Sequence, residues 1–293
     1  MRDLSRSEAV LIAVLTETIL YGIYVPIFAT CLWIIFSKQF GPRRRVNLML
    51  LGPAVTMFLL STLHVAVGLR RLVEGFVQAP QADVYFADLQ TWTYYATTAL
   101  YFTITFVGDS VVIYRCYLIW EANLAVVALP ILMLLASTIM GYYTVAGSHF
   151  IKPGQSAFAA RIATSGRTAL CLSLALNVIC TGLIVLRIWL STRHFAPYVG
   201  RRVGRYYSAL AVIVESAAIY TVSIAVYLGL YIRQVRAFTI LSSMNAQIMC
   251  IVQVLILVRV GLGLTYTSGW DQSEWSARFV SQQIREQLSD DSV

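Results

Sequence analysis

Charge is what this chain has least of. Only 12% of its 293 residues are Asp, Glu, Lys or Arg, while 58% are hydrophobic, more apolar surface than a soluble fold of this length buries. Lysine is nearly missing: Lys38 and Lys152 are the only two, and both fall in polar connecting segments, so no lysine stands in the last apolar stretch to form a Schiff base with retinal. Of the three histidines, His64, His149 and His194, only His64 lies inside an apolar stretch, too few for the multi-histidine centre of a seven-helix zinc hydrolase. Asp109 is the sole aspartate in any apolar stretch, and its context "FVGD" lacks the first glycine of the G-x-G-D pattern of intramembrane aspartyl proteases. A carboxylate dyad would have to pair it with Glu215, which no motif supports. Cys31, Cys116, Cys171, Cys180 and Cys250 form no C-x-x-C and sit in or at the ends of apolar stretches, where they act as small apolar residues rather than as metal ligands or disulfide partners. Nor does an N-x-S/T sequon occur at any of the asparagines. These gaps argue against an enzyme and leave no cofactor or metal to expect.

What is abundant is long apolar sequence. A hydrocarbon core of about 30 Å takes on the order of 20 apolar residues per helical crossing, because each backbone N–H and C=O must be satisfied within the segment. Seven windows qualify: 9–36, 46–68, 93–119, 124–146, 168–190, 207–232 and 237–263. Segments such as "SKQFGPRRRVN" and "SHFIKPGQSAFAARIATSGR" separate them and read as loops. The expected fold is therefore all-α, a polytopic seven-transmembrane-helix bundle over residues 1–265, followed by a tail over 266–293. In that tail Trp275, Phe279, Ile284 and Leu288 recur at nearly helical spacing, which suggests an amphipathic helix at the membrane surface. The first window is too long for a secretory signal, contains Glu17 and is followed by no A-x-A-like site, so it reads as a permanent span. The longest connections, 69–92 and 147–167, are too short for a separate domain.

Orientation rests on basic residues. With the N-terminus outside, Lys38, Arg43, Arg44, Arg45, Arg115, Arg187, Arg193, Arg201, Arg202, Arg205, Arg259, Arg278 and Arg285 fall on the cytosolic side, 13 of the 22 basic residues. Trp33, Trp120 and Trp189 then share one inner interface, as an aromatic belt does. The net charge of +8 is accounted for by these loops and anionic lipid headgroups, with no call for nucleic acid. The expected setting is the plasma membrane, with a cytosolic C-terminus and the basic loops available to a cytosolic partner.

Ionisable residues at bilayer depth are the candidate functional groups, since each costs several kcal/mol unless it meets a partner or water. Glu17 in the first span and His64 in the second lie in the outer half, and the two spans run antiparallel through a short loop, so the side chains can reach one depth and pair. Such a pair binds a ligand, relays a proton or simply ties two helices together. In the inner half stand Asp109 and Arg115 of the third span, Glu215 of the sixth and Arg259 of the seventh. Asp109 and Arg115 are about 240° apart around a helix and need partners elsewhere. Arg115 with Glu215 and Asp109 with Arg259 is one economical pairing, and the exchanged arrangement is equally open. The cluster reads either as a switch between helices or as a pin.

The strings "GDSVVIYRCYLIW", "RIWLSTRH", "ESAAIYTVSIAVYL" and "VLILVRVGLG", within a similarity running from "ETILYGIY" to "VRVGLG", resemble a large group of basidiomycete fungal seven-transmembrane-helix membrane proteins. That group has no assigned biochemical role, so the resemblance implies a fold and a fungal source and carries over no substrate or catalytic residue. The layout, with Arg115 between Tyr114 and Cys116, Glu215, a basic fifth loop and a tail helix, matches that of receptors in position. It departs from G-protein-coupled receptors in having no acid directly before Arg115 and no outer cysteine pair. A receptor or sensor with a small ligand in the outer half, among Tyr21, Tyr24, Trp92, Tyr94, Tyr95 and Tyr101, is the leading expectation. A transporter or channel lined by Asn177, Asn245, Gln247 and Gln253, with Pro26, Pro53 and Pro130 as kinks, is the alternative, and a lipid-interacting or scaffold role the third.

Overall fold

The computed structural model describes residues 5–37, 48–149, 156–195, 200–233 and 235–258. Among them there is no β-strand. Eight helices follow in order: α1 (Arg6–Ser37), α2 (Leu48–Val73), a short α3 (Ala82–Ala87), α4 (Trp92–Ile119), α5 (Leu124–His149), α6 (Ser156–Phe195), α7 (Gly200–Ile232) and α8 (Phe238–Val258). Six of them, α1, α2, α4, α5, α6 and α8, are long and apolar enough to cross a membrane, which makes the chain a multi-pass integral membrane protein. Within the described part of α7 the apolar stretch is the shorter Ala217–Ile232. The proposed tail helix and Arg259 lie outside the described residues.

Two of the helices start on a side-chain cap. Ser5 and Glu8 form a reciprocal capping box at the start of α1: the Glu8 N–H donates to Ser5 Oγ at 3.1 Å and the Ser5 N–H to Glu8 Oε2 at 2.8 Å. The α4–α5 turn places Glu121 and Ala122 at positive φ (54° and 64°), and Asn123 Oδ1 then accepts from the Ala125 N–H at 3.0 Å to start α5. Pro26, Pro53 and Pro130 all lie inside helices.

Two of the expected loops are largely helical. Beyond its apolar part α2 continues through Arg70 and Arg71 and then through a π-helical turn over Glu74–Gln78, supported by an Arg70–Glu74 ion pair at 2.8 Å one helical turn apart. Gly75 in that turn lets the Phe86 ring of α3 approach so closely that a Cβ would lie 2.3 Å from Phe86 Cζ. Phe86 in turn joins Val10 and Val14 of α1 in a small satellite core. The α6 helix likewise starts at Ser156 instead of near residue 168, because the Ala-rich run "SAFAARIA" is itself helix-forming and Ser165 reaches Thr144 of α5 at 2.8 Å. Charge and small polar residues near a span end signal departure from hydrocarbon, not the end of the helix.

Packing follows the chain for most neighbours, α1 on α2, α2 on α4, α4 on α5, α5 on α6 and α6 on α7, with α4 also meeting α6. The exception is α8. In its most apolar window 56% of residues are buried, against 22% in α1 and no more than 39% in any of the other five candidate spans, so α8 is the interior helix. Ala246, Met249, Cys250, Val252, Val254, Ile256 and Leu257 of α8 enter the main core together with Tyr24, Phe28, Met57, Ile104, Tyr220 and Ile224 from the surrounding helices. A second core, with Ile113, Cys116, Val127, Leu176 and Ile184, fills the opposite side between α4, α5 and α6.

Candidate functional site

The α8 helix carries three buried amides, and each is tied to different helices. Gln247 Nε2 donates to Glu17 Oε1 of α1 at 3.2 Å, while its Oε1 accepts from Ser61 Oγ of α2 at 2.6 Å. Asn245 Oδ1 accepts from Ser223 Oγ of α7. Gln253 Nε2 donates to the Gly108 carbonyl of α4 at 3.2 Å. Interhelical hydrogen bonds of this kind contribute about 0.6–2 kcal/mol each within a bilayer and fix helix rotation.

Around Gln247 the outer network closes. His64 Nδ1 lies 2.5 Å from Glu17 Oε1, and both side chains are almost wholly buried. The expected meeting of Glu17 and His64 across α1 and α2 is therefore realised, with Gln247 and Ser61 joining it from α8 and α2. The two protonation arrangements, carboxylate with imidazolium or carboxylic acid with neutral imidazole, share one proton count and leave the pair net neutral. The proton can therefore sit on either partner without changing the charge held in the membrane. Close by, Tyr21 shares a hydrogen bond with Thr62 at 2.8 Å, and Phe28 stacks on Phe58 with ring centroids 4.1 Å apart. Of the aromatics expected around an outer ligand, Tyr24 and Tyr101 are core residues instead, while Trp92 is largely exposed.

Deeper along α4, Asp109 is fully buried and accepts from Ser173 Oγ at 2.7 Å and Asn177 Nδ2 at 2.8 Å, both on α6. Asn177 Nδ2 also donates to the Ser173 carbonyl at 3.1 Å, which orients the amide. Asp109 thus has neutral partners among the described residues, and the pairing with Arg259 falls outside them. Arg115 donates to the Gln253 carbonyl at 3.4 Å, a long contact. Glu215 is exposed and makes no ion pair with Arg115, so that expected pairing is not formed. The physical reason is rotational: Arg115 faces α8, whereas Glu215 lies on the outward side of α7.

Other sequence-based expectations are redistributed. Asn177, Asn245, Gln247 and Gln253, read as the lining of a pathway, are buried and each bonds a neighbouring helix or carboxyl. His149 and His194, assigned to loops, lie at the C-terminal ends of α5 and α6, because both helices run on past their apolar windows. Trp120 donates its indole N–H to the Leu183 carbonyl at 3.1 Å and lies under the Arg187 guanidinium, which pairs with Glu121. That residue pins α4 to α6, in addition to any place in a belt. Ser61, Ser173 and Ser223 were not singled out from the sequence, since a single serine in an apolar run carries no positional signal.

Gly108 lies against α8: an added Cβ would lie 2.0 Å from Met249 Cε and 3.0 Å from Met249 Cγ. Gln247 and Gln253 are separated by six residues, about 9 Å along the axis of α8. One rigid helix therefore connects the Glu17–His64 pair to the neighbourhood of Asp109 and Arg115. Among the described residues no three His, Cys, Asp or Glu side chains come together as a metal-binding group. No protein family, curated protein or solved structure matches this chain.

Proposed function

We propose that the chain is a receptor- or sensor-like seven-helix membrane protein in which α8 is the moving or load-bearing element. The observation that carries this reading is the attachment of α8, through Gln247, Asn245 and Gln253, to α1 and α2, to α7 and to α4. A ligand that changed the Glu17–His64 pair would pull on Gln247, and the displacement would reach Gln253 and Arg115 through the helix itself. In this reading α7 is the sixth crossing: its apolar stretch Ala217–Ile232 covers about 24 Å, and the helix continues N-terminally from it to Gly200. Seven crossings would put the two termini on opposite sides, and the bias of basic residues favours an N-terminus outside and a C-terminus in the cytosol at the plasma membrane, with the basic loops free for a cytosolic partner, in a protein of fungal kin.

The same polar residues would serve a transporter or channel, the alternative reading. What favours a sensor is that Gln247, Asn245 and Gln253 each bond a neighbouring helix beside the close approach of Gly108 to Met249, with Asn245 Nδ2 and Gln253 Oε1 the two amide atoms left without a partner. The test uses purified full chain in liposomes, with spin labels at the ends of α4 and α8 that lie beyond Ile119 and near Val258. A sensor gives a change in the label-to-label distance on ligand addition with no solute or proton flux, and Gln247→Leu abolishes the change. Flux measured with a pH-sensitive dye in the absence of any partner protein overturns the reading in favour of transport.

A further inference from the structure

Between the buried Glu17–His64 pair and the end of the bundle where α3 lies, the seam of α1 and α2 can be followed level by level. Val10, Val14 and Glu17 fall on one face of α1, and His64, Gly68, Leu72 and Gly75 on one face of α2 and its π-helical turn, all at spacings of three or four residues. His64 Nδ1 lies 2.5 Å from Glu17 Oε1 at the inner level. One turn nearer α3, a Cβ on Gly68 would stand 3.6 Å from Val14 Cγ2 and 3.8 Å from Glu17 Oε2. Beyond it Leu72 packs with Val10, Val14 and Phe86, and at the last level Gly75 takes the Phe86 ring. Glycine therefore notches this face of α2 twice. The contacts of Glu17 with His64 and Gln247 both end on Oε1, whereas Oε2 lies at the inner notch, on the side toward α3.

The outer notch is filled by a lightly held segment. The α3 helix has six residues, too few to be stable alone, and the extended residues Gln81 and Asp88 flank it. Phe86 is its one buried residue. Two polar contacts hold it down: Asp83 Oδ1 accepts from the Ser7 N–H of α1 at 2.9 Å, and the Tyr85 hydroxyl donates to Glu74 Oε2 of the π-helical turn at 2.7 Å. The first of these is exposed, so water competes for both groups. A segment with one buried side chain and an exposed hydrogen bond stands at the low end of local stability. Arg70, with a side chain 53% exposed, and Asp83 place this end of the bundle at the aqueous boundary.

We propose that α3 is a lid on the α1–α2 seam: seated in the Gly75 notch, Phe86 seals the Glu17–His64 pair from water at this end, and lifted from it, Phe86 opens the seam for water to reach Glu17 Oε2 and exchange the proton of the pair. Val14 lies between the ring and the acid, so water on this route passes Val14 first. Such a lid does not depend on the sensor reading, because a pair that senses a proton and a pair that carries one both exchange it with bulk water.

The test uses purified full chain in maltoside micelles and two readouts. Val14→Cys, a change to a smaller apolar residue, reports the middle of the seam through its rate of reaction with a water-soluble methanethiosulfonate, the reaction of the native cysteines being subtracted. In 15N-histidine protein, the exchange of the His64 ring N–H with deuterated water, assigned by its loss in His64→Leu, reports the pair itself. Both are slow with the lid seated. Phe86→Ala speeds both by about tenfold or more, and Tyr85→Phe, which releases the Glu74 contact with the ring left in place, speeds both severalfold, on the order of one lost hydrogen bond. Ile184→Ala truncates the second core, remote from the seam, and leaves both rates unchanged. Rates that are fast from the start, rates untouched by Phe86→Ala and Tyr85→Phe, or an equal rise in Ile184→Ala overturn the proposal. So does faster labelling of Val14→Cys with no change at His64, because the seam would then stop short of the pair. Neither readout uses a ligand or reports movement of α8, so the lid stands or falls separately from the sensor.

Discussion

Among the described residues two acids lie buried, and their company differs. Glu17 meets a histidine, and Gln247 and Ser61 extend the contact to α8 and α2. Asp109 meets a hydroxyl and an amide, Ser173 and Asn177, both neutral and both on α6. A carboxylate opposite a base can exist as an ion pair or as a neutral hydrogen-bonded pair, whereas a carboxyl among neutral donors bears any charge alone. The difference assigns them separate work. The Glu17 network joins α1, α2 and α8, while Asp109 fastens α4 to α6.

The contrast is broken or sharpened by substitution, and the largest effect falls on the paired site. His64→Leu leaves Glu17 buried without its base and lowers stability by about 3–5 kcal/mol, read as a drop in the unfolding free energy in mixed micelles. Adding Glu17→Leu to it recovers most of the loss, because the orphaned acid is gone. A double variant as unstable as the single would mean that packing, not pairing, governs this site. Next, Gly108→Val drives a side chain into Met249 at the α4–α8 crossing and costs about 1–3 kcal/mol. Met249→Ala, introduced second, relieves part of that strain, and an unrelieved loss would place the conflict in the backbone instead.

Asp109→Asn is expected to matter less, within about 1 kcal/mol, since Ser173 can reverse its hydroxyl to suit an amide. A loss as large as that of His64→Leu would show that Asp109 carries a charge with a cationic partner, and the comparison between the two acids would collapse. The smallest effect belongs to an acid outside the spans. Asp83 is held below the ordinary carboxylate range, chiefly by the Ser7 backbone N–H. A carboxyl with a depressed folded pKa contributes above its unfolded value of about 3.9 and loses that contribution as pH falls through the lower folded value. Hydrogen exchange at the start of α1 therefore quickens on acidification below about pH 4, and Asp83→Asn removes the pH dependence. Unchanged protection across that range would remove the Ser7–Asp83 contact from the account.

Legibility in the sequence tracked the kind of partner involved. Glu17 and His64 were readable as a pair because both are rare at depth, lie on consecutive antiparallel spans and have complementary hydrogen-bonding groups. The partner of Asp109 was not, because Ser173 and Asn177 sit four residues apart within an apolar run where neither stands out, and the cations that did stand out belong elsewhere. Arg115 reaches a backbone carbonyl and Glu215 faces outward, because rotation about each helix axis is chosen by the whole packing surface and not by the most conspicuous charge. The polar spans of Asn245, Gln247 and Gln253 were visible as a set. Which helices they fasten depends on which neighbours they face.

Composition and hydrophobic run length by themselves determined that the chain is helical and belongs in a membrane, because a bilayer tolerates no unsatisfied backbone and the apolar runs are long enough to cross it. They also located the rare ionisable groups and ruled out a retinal-linked lysine. Only the tertiary structure decided that α8 occupies the interior, that α2 and α6 run on past their apolar windows, that the α3 helix folds back on α1, and that Arg71 lies over the Tyr94 ring and Arg167 over that of Tyr231. Lipid and helix interior are equally apolar, so hydropathy cannot say which face of a span meets lipid and which meets protein. That choice is made by side-chain packing and by where each buried polar atom finds its partner.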